Sequence, residues 1–240
     1  MKKIVITGGS GRFGEILKKY KTKHKLYFPT KNQLNILDLK KTQNYLKKIK
    51  PNILIHLAGL SRPMKIHDEK IEQSIDLNII GTANVTKACS QNRIKLIYFS
   101  TNYVYPGTKG NYKENSPLSP INNYAWSKLG GEASVRLYKN SLILRVCMTE
   151  KPFVHKEAFT NVKTNFIYHE KIPQILFKLL NKSGIINLGG KAQSVFDFAK
   201  KDNKYVKKVF LKKKKNVIIP FNSTMNLKKL NLILKKKIDF

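Results

Sequence analysis

Short apolar runs alternate along this chain with longer stretches in which apolar positions recur every three or four residues. The runs lie at 3–7 (Lys3-Ile4-Val5-Ile6-Thr7), 25–28, 53–59, 96–101 and 141–146. They lack the in–out alternation of a half-exposed sheet, so they read as strands covered on both faces. Between them, residues 15–20, 39–49, 71–89 and the stretch that starts at Tyr124 carry helical spacing. Strand and helix in strict succession through Arg145 predict an α/β fold, a Rossmann-type doubly wound parallel sheet. Residues 102–123 are rich in turn formers, with Pro106-Gly107, Gly110, Pro117 and Pro120. A further helix is expected over 170–180, and a short strand within the lysine-rich stretch 200–215. The expected organisation is one domain over 1–148, with 166–190 packing back onto it. A small, shortened C-terminal lobe is expected from 149–165 and 191–240.

The first run enters Gly8-Gly9-Ser10-Gly11-Arg12-Phe13-Gly14 and then a helix. Strand, glycine turn, helix is the context in which G-x-x-G-x-x-G marks a dinucleotide site. Gly8 makes the turn, Gly11 admits backbone to a pyrophosphate, and Gly14 packs helix on strand. Thr7, Gly8, Ser10, Gly11, Arg12, Phe13 and Gly14 are therefore candidate cofactor residues. The second strand does not end in the carboxylate that would hold a ribose 2′-hydroxyl; Pro29-Thr30-Lys31 stands there. Lys31 with Arg12 suits a 2′-phosphate, which favours NADP(H), with NAD(H) as the alternative and a plain basic surface residue as the bland reading. Asp38 and Leu39 stand beside the adenine or, equally, Asp38 caps the next helix. Leu57-Ala58-Gly59 ends the third strand in small residues, as backbone passing under a cofactor would require. His56, inside that strand, reads as packing.

Tyr124 and Lys128 are four residues apart, hence on one face of a helix. A free tyrosine, with a pKa of about 10, is a poor acid or base at neutral pH. A neighbouring cation favours its phenolate and draws it toward the working range. Tyr27/Lys31 and Tyr105/Lys109 share the spacing but not the surroundings. Thr101 closes the fourth strand at its C-terminal end, the edge where ligands bind in doubly wound sheets.

Composition changes this picture little. The chain has 240 residues, 47 of them Lys or Arg against 14 Asp or Glu, for a net charge of +33. Only Arg12, Arg62, Arg93, Arg136 and Arg145 are arginine. Readers of bases and phosphates lean on arginine's planar fork. Here lysine, asparagine and isoleucine, all with A/T-rich codons, dominate instead. Genome bias and a solvated surface are preferred to nucleic-acid binding, although an anionic substrate would gain from the field. Cys89 and Cys147 give neither a disulfide framework nor metal spacing, and no metal is expected. No apolar run approaches the roughly 20 residues of a membrane span. A reduced cytoplasmic setting without membrane insertion is the expectation.

The ordered set of motifs resembles the extended short-chain dehydrogenase/reductases, and more narrowly their dTDP-4-dehydrorhamnose reductase branch. The pieces are Thr7-Gly8-x-x-Gly11-x-x-Gly14, Asn35-Ile36-Leu37-Asp38, Pro51 to Gly59, Asn78-Ile79-Ile80-Gly81-Thr82, Phe99-Ser100-Thr101-Asn102-Tyr103, Tyr124-x-x-x-Lys128-x-x-Gly131-Glu132 and Leu144-Arg145. Later come Gly184 to Gly190 and Met225 to Leu230. The resemblance implies an NAD(P)H-dependent reductase of a nucleotide-activated keto-sugar, acting in deoxysugar precursor synthesis. It implies Thr101, Tyr124 and Lys128 as the catalytic set, with Lys128 also on the nicotinamide ribose and Asn78 at a proton-relay or anchoring position. Ser61, Arg62, Thr101, Asn102, Tyr103 and His155 would meet the substrate, with Phe159 as a further contact, and a homodimer is implied. Alternatives are a sugar-nucleotide epimerase and a non-catalytic regulatory relative. Departures are Asn102 where the branch commonly has Asp, no Asp-Glu pair of the dehydratases, no epimerase-type Cys after Thr101, and only a short segment, 148–159, in place of a longer substrate cap.

Overall fold

The computed structural model describes residues 1–212 and 219–235. In chain order the first elements are β1 (Lys3–Thr7), α1 (Arg12–Lys19), β2 (Lys25–Tyr27), α2 (Leu39–Ile49) and β3 (Ile53–His56). Next come α3 (Ile66–Glu69), α4 (Ile71–Ser74), α5 (Gly81–Gln91), β4 (Lys95–Thr101), α6 (Asn123–Arg136) and β5 (Ser141–Val146). The remainder are β6 (Met148–Thr149), β7 (Glu157–Phe159), β8 (Lys163–Thr164), β9 (Ile167–Tyr168), α7 (Ile172–Leu179), β10 (Gly184–Leu188), β11 (Gln193–Ser194), α8 (Val195–Ala199), β12 (Lys207–Val209) and α9 (Lys228–Leu234).

Six strands form the central sheet in the order β10-β5-β4-β3-β1-β2. β1 pairs in parallel with both β2 and β3, and β3 with β4. The order reverses at β1, which makes the carboxyl ends of β1 and β3 the switch point of a Rossmann-type sheet. The apolar runs are buried as their composition demands: Ile4, Val5, Ile6, Leu54, Ile55, Leu96 and Ile97 have no more than trace exposure. Leu46, Val85, Ala88, Cys89 and Val135 from α2, α5 and α6 pack with Val5, Leu54, Leu96 and Ile143 in one core.

The expected single helix over 71–89 is interrupted. Ile75–Ile80 forms a π-turn between α4 and α5. Its residues, Ile75, Asp76, Leu77, Asn78, Ile79 and Ile80, carry no helix breaker, so the sequence does not announce the interruption. The turn directs Asn78 inward, where it is 1% exposed.

The chain divides into two compact units. The first holds Met1–Ser100, Asn123–Leu144 and Leu179–Ile185; the second holds Thr101–Asn122, Arg145–Lys178 and Ile186–Phe240. Segments 101–122 and 145–148, expected with the nucleotide-binding half, thus cluster with the second unit. Side-chain bonds account for this. The Arg145 guanidinium, 1% exposed, donates to Tyr105 Oη (2.8 Å) and to the Glu114 carbonyl (3.0 Å). Asn187 Nδ2 donates to the Tyr112 carbonyl (2.9 Å) and Asn102 Nδ2 to Ser223 Oγ (2.9 Å).

The second unit has its own core of Phe153, Ala158, Val162, Val195, Phe198, Ala199 and Val206. Three two-stranded pairs frame it: β6 with β9, β7 with β12, and β8 with β11. The strand expected in the lysine-rich stretch is β12, whose Lys207 and Lys208 are exposed. Of the run 212–215, residues 213–215 lie outside the described residues.

Candidate active site

In the first unit, β1 ends in the glycine turn. Gly8 takes φ +71°, and a Cβ there would stand 2.6 Å from the Ala58 nitrogen at the end of β3. Glycine alone accepts both conditions. A Cβ on Gly14 would stand 2.5 Å from the Gly9 carbonyl, so this position sets how closely α1 meets the turn. Gly11 stands at the N-cap of α1, where no capping side chain covers the helix N-terminus, and its own amide donates to the Gly8 carbonyl at 3.0 Å, closing the turn. This cradle fits the pyrophosphate of a dinucleotide. Ser10, Arg12 and Lys31 are exposed, whereas Phe13 is buried with its ring 5.4 Å from that of Phe99.

Thr7 and His56 turn inward. Thr7 Oγ1 lies 2.8 Å from His56 Nδ1 and accepts from the Ala58 amide at 3.2 Å. His56 Nε2 lies 3.1 Å from Thr82 Oγ1 on α5. Burial, with Lys128 adding to it, pushes the His56 pKa down to about 3 and keeps the ring neutral. His56 therefore ties β1, β3 and α5 together, as the packing reading expected. Asp38 accepts from the Lys41 amide at 2.8 Å, the capping role of the two readings given above, and Leu39 begins α2 behind it. Leu57, Ala58 and Gly59 follow β3 directly.

Asn78 uses its whole side chain locally. Its Oδ1 accepts from the Leu60 amide (2.7 Å), and its Nδ2 donates to the Leu60 carbonyl (2.9 Å) and to Ser127 Oγ (2.9 Å). It anchors segment 59–60 to α6. Both amide hydrogens are engaged in these bonds, which is the geometry of the anchoring alternative.

Tyr124 and Lys128 stand one turn apart on α6. The His67 ring packs against the Tyr124 ring at 5.1 Å between centroids. His67 is 1% exposed, its Nδ1 lies 2.7 Å from Ser74 Oγ, and its Nε2 has no hydrogen-bond partner among the described residues. One residue on, Asp68 accepts from Asn123 Nδ2 at 2.8 Å, which pins α3 to the start of α6. Lys128 is half-buried, with Nζ 4.3 Å from the centre of the Tyr98 ring. Burial pushes its pKa down to about 7, against the pull of Glu132. Tyr98 Oη donates to the Lys128 carbonyl at 3.1 Å. A Cβ on Gly131 would collide with the Asn78 carbonyl, so the π-turn and α6 approach each other at a glycine. Ser61 and Arg62 are exposed on the loop after β3.

In the second unit, Thr101 is 5% exposed and its Oγ1 accepts from the Tyr103 amide at 3.3 Å. Asn102 is buried and its amide also reaches Thr164 Oγ1 at 3.3 Å, so its side chain serves the unit's interior. Tyr103 is half-buried and His155 is exposed, with its ring edge-on to Phe153 at 5.4 Å. Phe159 packs against the unit's core. Cys147 is buried with Sγ 2.9 Å from Thr164 Oγ1, and burial pushes its thiol up to about 12, so it is an inert packing group. Sequence reasoning assigned no role to His67, Tyr98, Ser100 or Glu132. The one available signal was Glu132 standing four residues past Lys128.

A glycine turn at the switch point of a parallel sheet, with a tyrosine–lysine helix in the same unit, defines a short-chain dehydrogenase/reductase-type α/β protein. The chain belongs to the RmlD substrate binding domain family, whose profile residues 1–165 match. It is 31% identical over 156 residues to methionine adenosyltransferase 2 subunit beta of Xenopus tropicalis, covering 60% of this chain and 46% of that protein. It is also 31% identical over 223 residues to a dTDP-D-glucose 4,6-dehydratase of Dictyostelium discoideum, covering 75% of this chain and 49% of that one. The chain thus spans about half the length of the curated relatives it matches. Among solved structures, dTDP-4-dehydrorhamnose reductase from Bacillus anthracis str. Ames, in complex with NADP, superimposes with a TM-score of 0.85 at 25% identity, over 96% of this chain and 91% of that one. No helix among the described residues is long and apolar enough to cross a membrane.

Proposed function

We propose that this chain is an NAD(P)H-dependent reductase of a nucleotide-activated keto-sugar, with NADPH preferred. The single observation that carries the reading is the pairing on α6 of Tyr124 with Lys128, an ammonium held in partly desolvated surroundings over the Tyr98 ring. A bound nicotinamide would supply hydride to a carbonyl carbon. Tyr124 gives its phenolic proton to the resulting alkoxide oxygen, and the product is the alcohol. Lys128 places positive charge beside the phenol, favouring its deprotonated form once the proton has left. The Thr101 hydroxyl serves as a hydrogen-bond donor for a substrate oxygen and keeps its own proton. The glycine turn and the N-terminal end of α1 hold the pyrophosphate, and Ser61 and Arg62 face the anionic nucleotide. Likeness to the reductase structure supports the substrate class.

The test is absorbance of NADPH with a nucleotide-linked 4-keto-6-deoxy sugar. Wild-type protein oxidises the cofactor, and Tyr124→Phe lowers kcat by roughly 10²- to 10⁴-fold, the usual weight of a general acid. Equal turnover by the two proteins contradicts the assignment.

A second reading is favoured by the likeness to a methionine adenosyltransferase beta subunit: a non-catalytic cofactor-binding regulatory chain. Under it, NADPH binds but no keto-sugar is reduced.

A further inference from the structure

Glu132 is a buried acid that the mechanism above leaves unused. Its side chain has no solvent exposure. A carboxylate in such surroundings is costly unless donors and opposite charge compensate it. Ser100 Oγ donates to its Oε2 at 2.7 Å. Lys128 lies one turn earlier on the same helix, the i to i+4 spacing at which side chains of opposite charge meet.

The groups around the Lys128 side chain come from three elements. From β3 there is His56, held neutral by burial and by Lys128 itself. From β4 there is Tyr98, whose ring lies under the ammonium and whose phenol burial keeps protonated. From α6 there are Tyr124 and Glu132. Among these, Glu132 is the one carboxylate, and it is the group that opposes the effect of burial on Lys128. Beside it, the face of the Tyr98 ring offsets part of the loss of water around the ammonium through its cation–π contact. The fixing of Glu132 by Ser100 matters because a carboxylate free to rotate away would leave Lys128 without its opposite charge. Ser100 also directly precedes Thr101, so the anchor joins the end of β4 to α6.

We propose that Glu132 is a positioning residue: its carboxylate, anchored by Ser100, keeps the Lys128 side chain an ammonium above the Tyr98 ring, so that the charge acts on Tyr124. The inference rests on the catalytic reading of Tyr124 and Lys128 given above. Glu132 touches neither substrate nor cofactor and acts only through Lys128.

The experiment uses the full chain labelled with ¹³C at lysine Cε, titrated by NMR, with Lys128→Arg assigning the signal. In wild-type protein the Lys128 signal titrates near neutral pH, far below the other lysines. In Glu132→Gln, which keeps the shape and a hydrogen-bonding group for Ser100, the midpoint falls by at least one pH unit, a tenfold loss of ammonium at a fixed pH above it. The kcat for ketone reduction requires Lys128 charged, so its alkaline limb moves to lower pH by the same amount. A purely structural role would lower the melting temperature and leave both midpoints in place, and that result overturns the proposal. Should Glu132→Gln fail to fold, Glu132→Met, an apolar replacement of similar length, carries the same two titrations. Wild-type protein that reduces no ketone overturns the reductase reading, while the Lys128 titration still decides the role of Glu132.

Discussion

At the scale of single residues, the account turns on polar side chains enclosed beside the turn and the tyrosine helix. His56 is the clearest case, because its neutral ring is bonded on both nitrogens, to Thr7 and to Thr82. Its folded pKa of about 3 lies below the unfolded value near 6.5. In that window the unfolded chain takes up a proton that the folded chain refuses, so stability rises with pH and is lost as pH falls below about 6.5. One such group costs on the order of 1.4 kcal/mol per pH unit. Thermal melts of wild-type protein at pH 7, 6 and 5 are expected to show falling midpoints, and His56→Gln a shallower fall. Equal slopes would show that His56 does not titrate on unfolding. The sequence placed His56 inside a buried strand and so gave its burial. It did not give the partners, since Thr7 and Thr82 lie 49 and 26 residues away in the chain. Glu132 was similarly visible as a motif residue, but its donor Ser100 sits 32 residues upstream.

At the scale of elements, strands were the most legible part. Runs such as Ile53-Leu54-Ile55 admit no half-exposed alternative, and β1, β3, β4 and β5 occupy the expected stretches within a few residues. The turn between β1 and α1 was equally legible, because Gly8 and Gly14 stand where a Cβ would collide. The π-turn was not, since Ile75–Ile80 contains neither glycine nor proline to mark it, and the side chain it turns inward is Asn78 while Ile75 and Ile80 stay exposed. The stretch after β2 carries the cofactor question: Lys31 stands in the sequence where a ribose carboxylate would otherwise follow, and it and Arg12 are both exposed. Calorimetry is expected to show tighter binding of NADPH than of NADH, with the preference equalised or reversed in Arg12→Ala/Lys31→Ala. Tighter NADH binding by the unaltered protein would assign these two cations to the solvated surface instead.

At the scale of the whole molecule, the Rossmann-type sheet follows from the alternation of runs and periodic stretches. The division into units does not, because it depends on bonds such as Asn102 to Ser223 across 121 residues of chain. The chain is similar both to a dTDP-4-dehydrorhamnose reductase and to proteins named as beta subunits of methionine adenosyltransferase. What separates the two readings is whether hydride moves. The most direct measurement is mass spectrometry of the sugar after incubation with NADPH deuterated at the transferred position of C4. Wild-type protein is predicted to give an alcohol product one mass unit heavier, and Tyr124→Phe to form it at a rate roughly 10²- to 10⁴-fold lower. Unlabelled product, or equal labelled product from both proteins, would contradict the reductase reading.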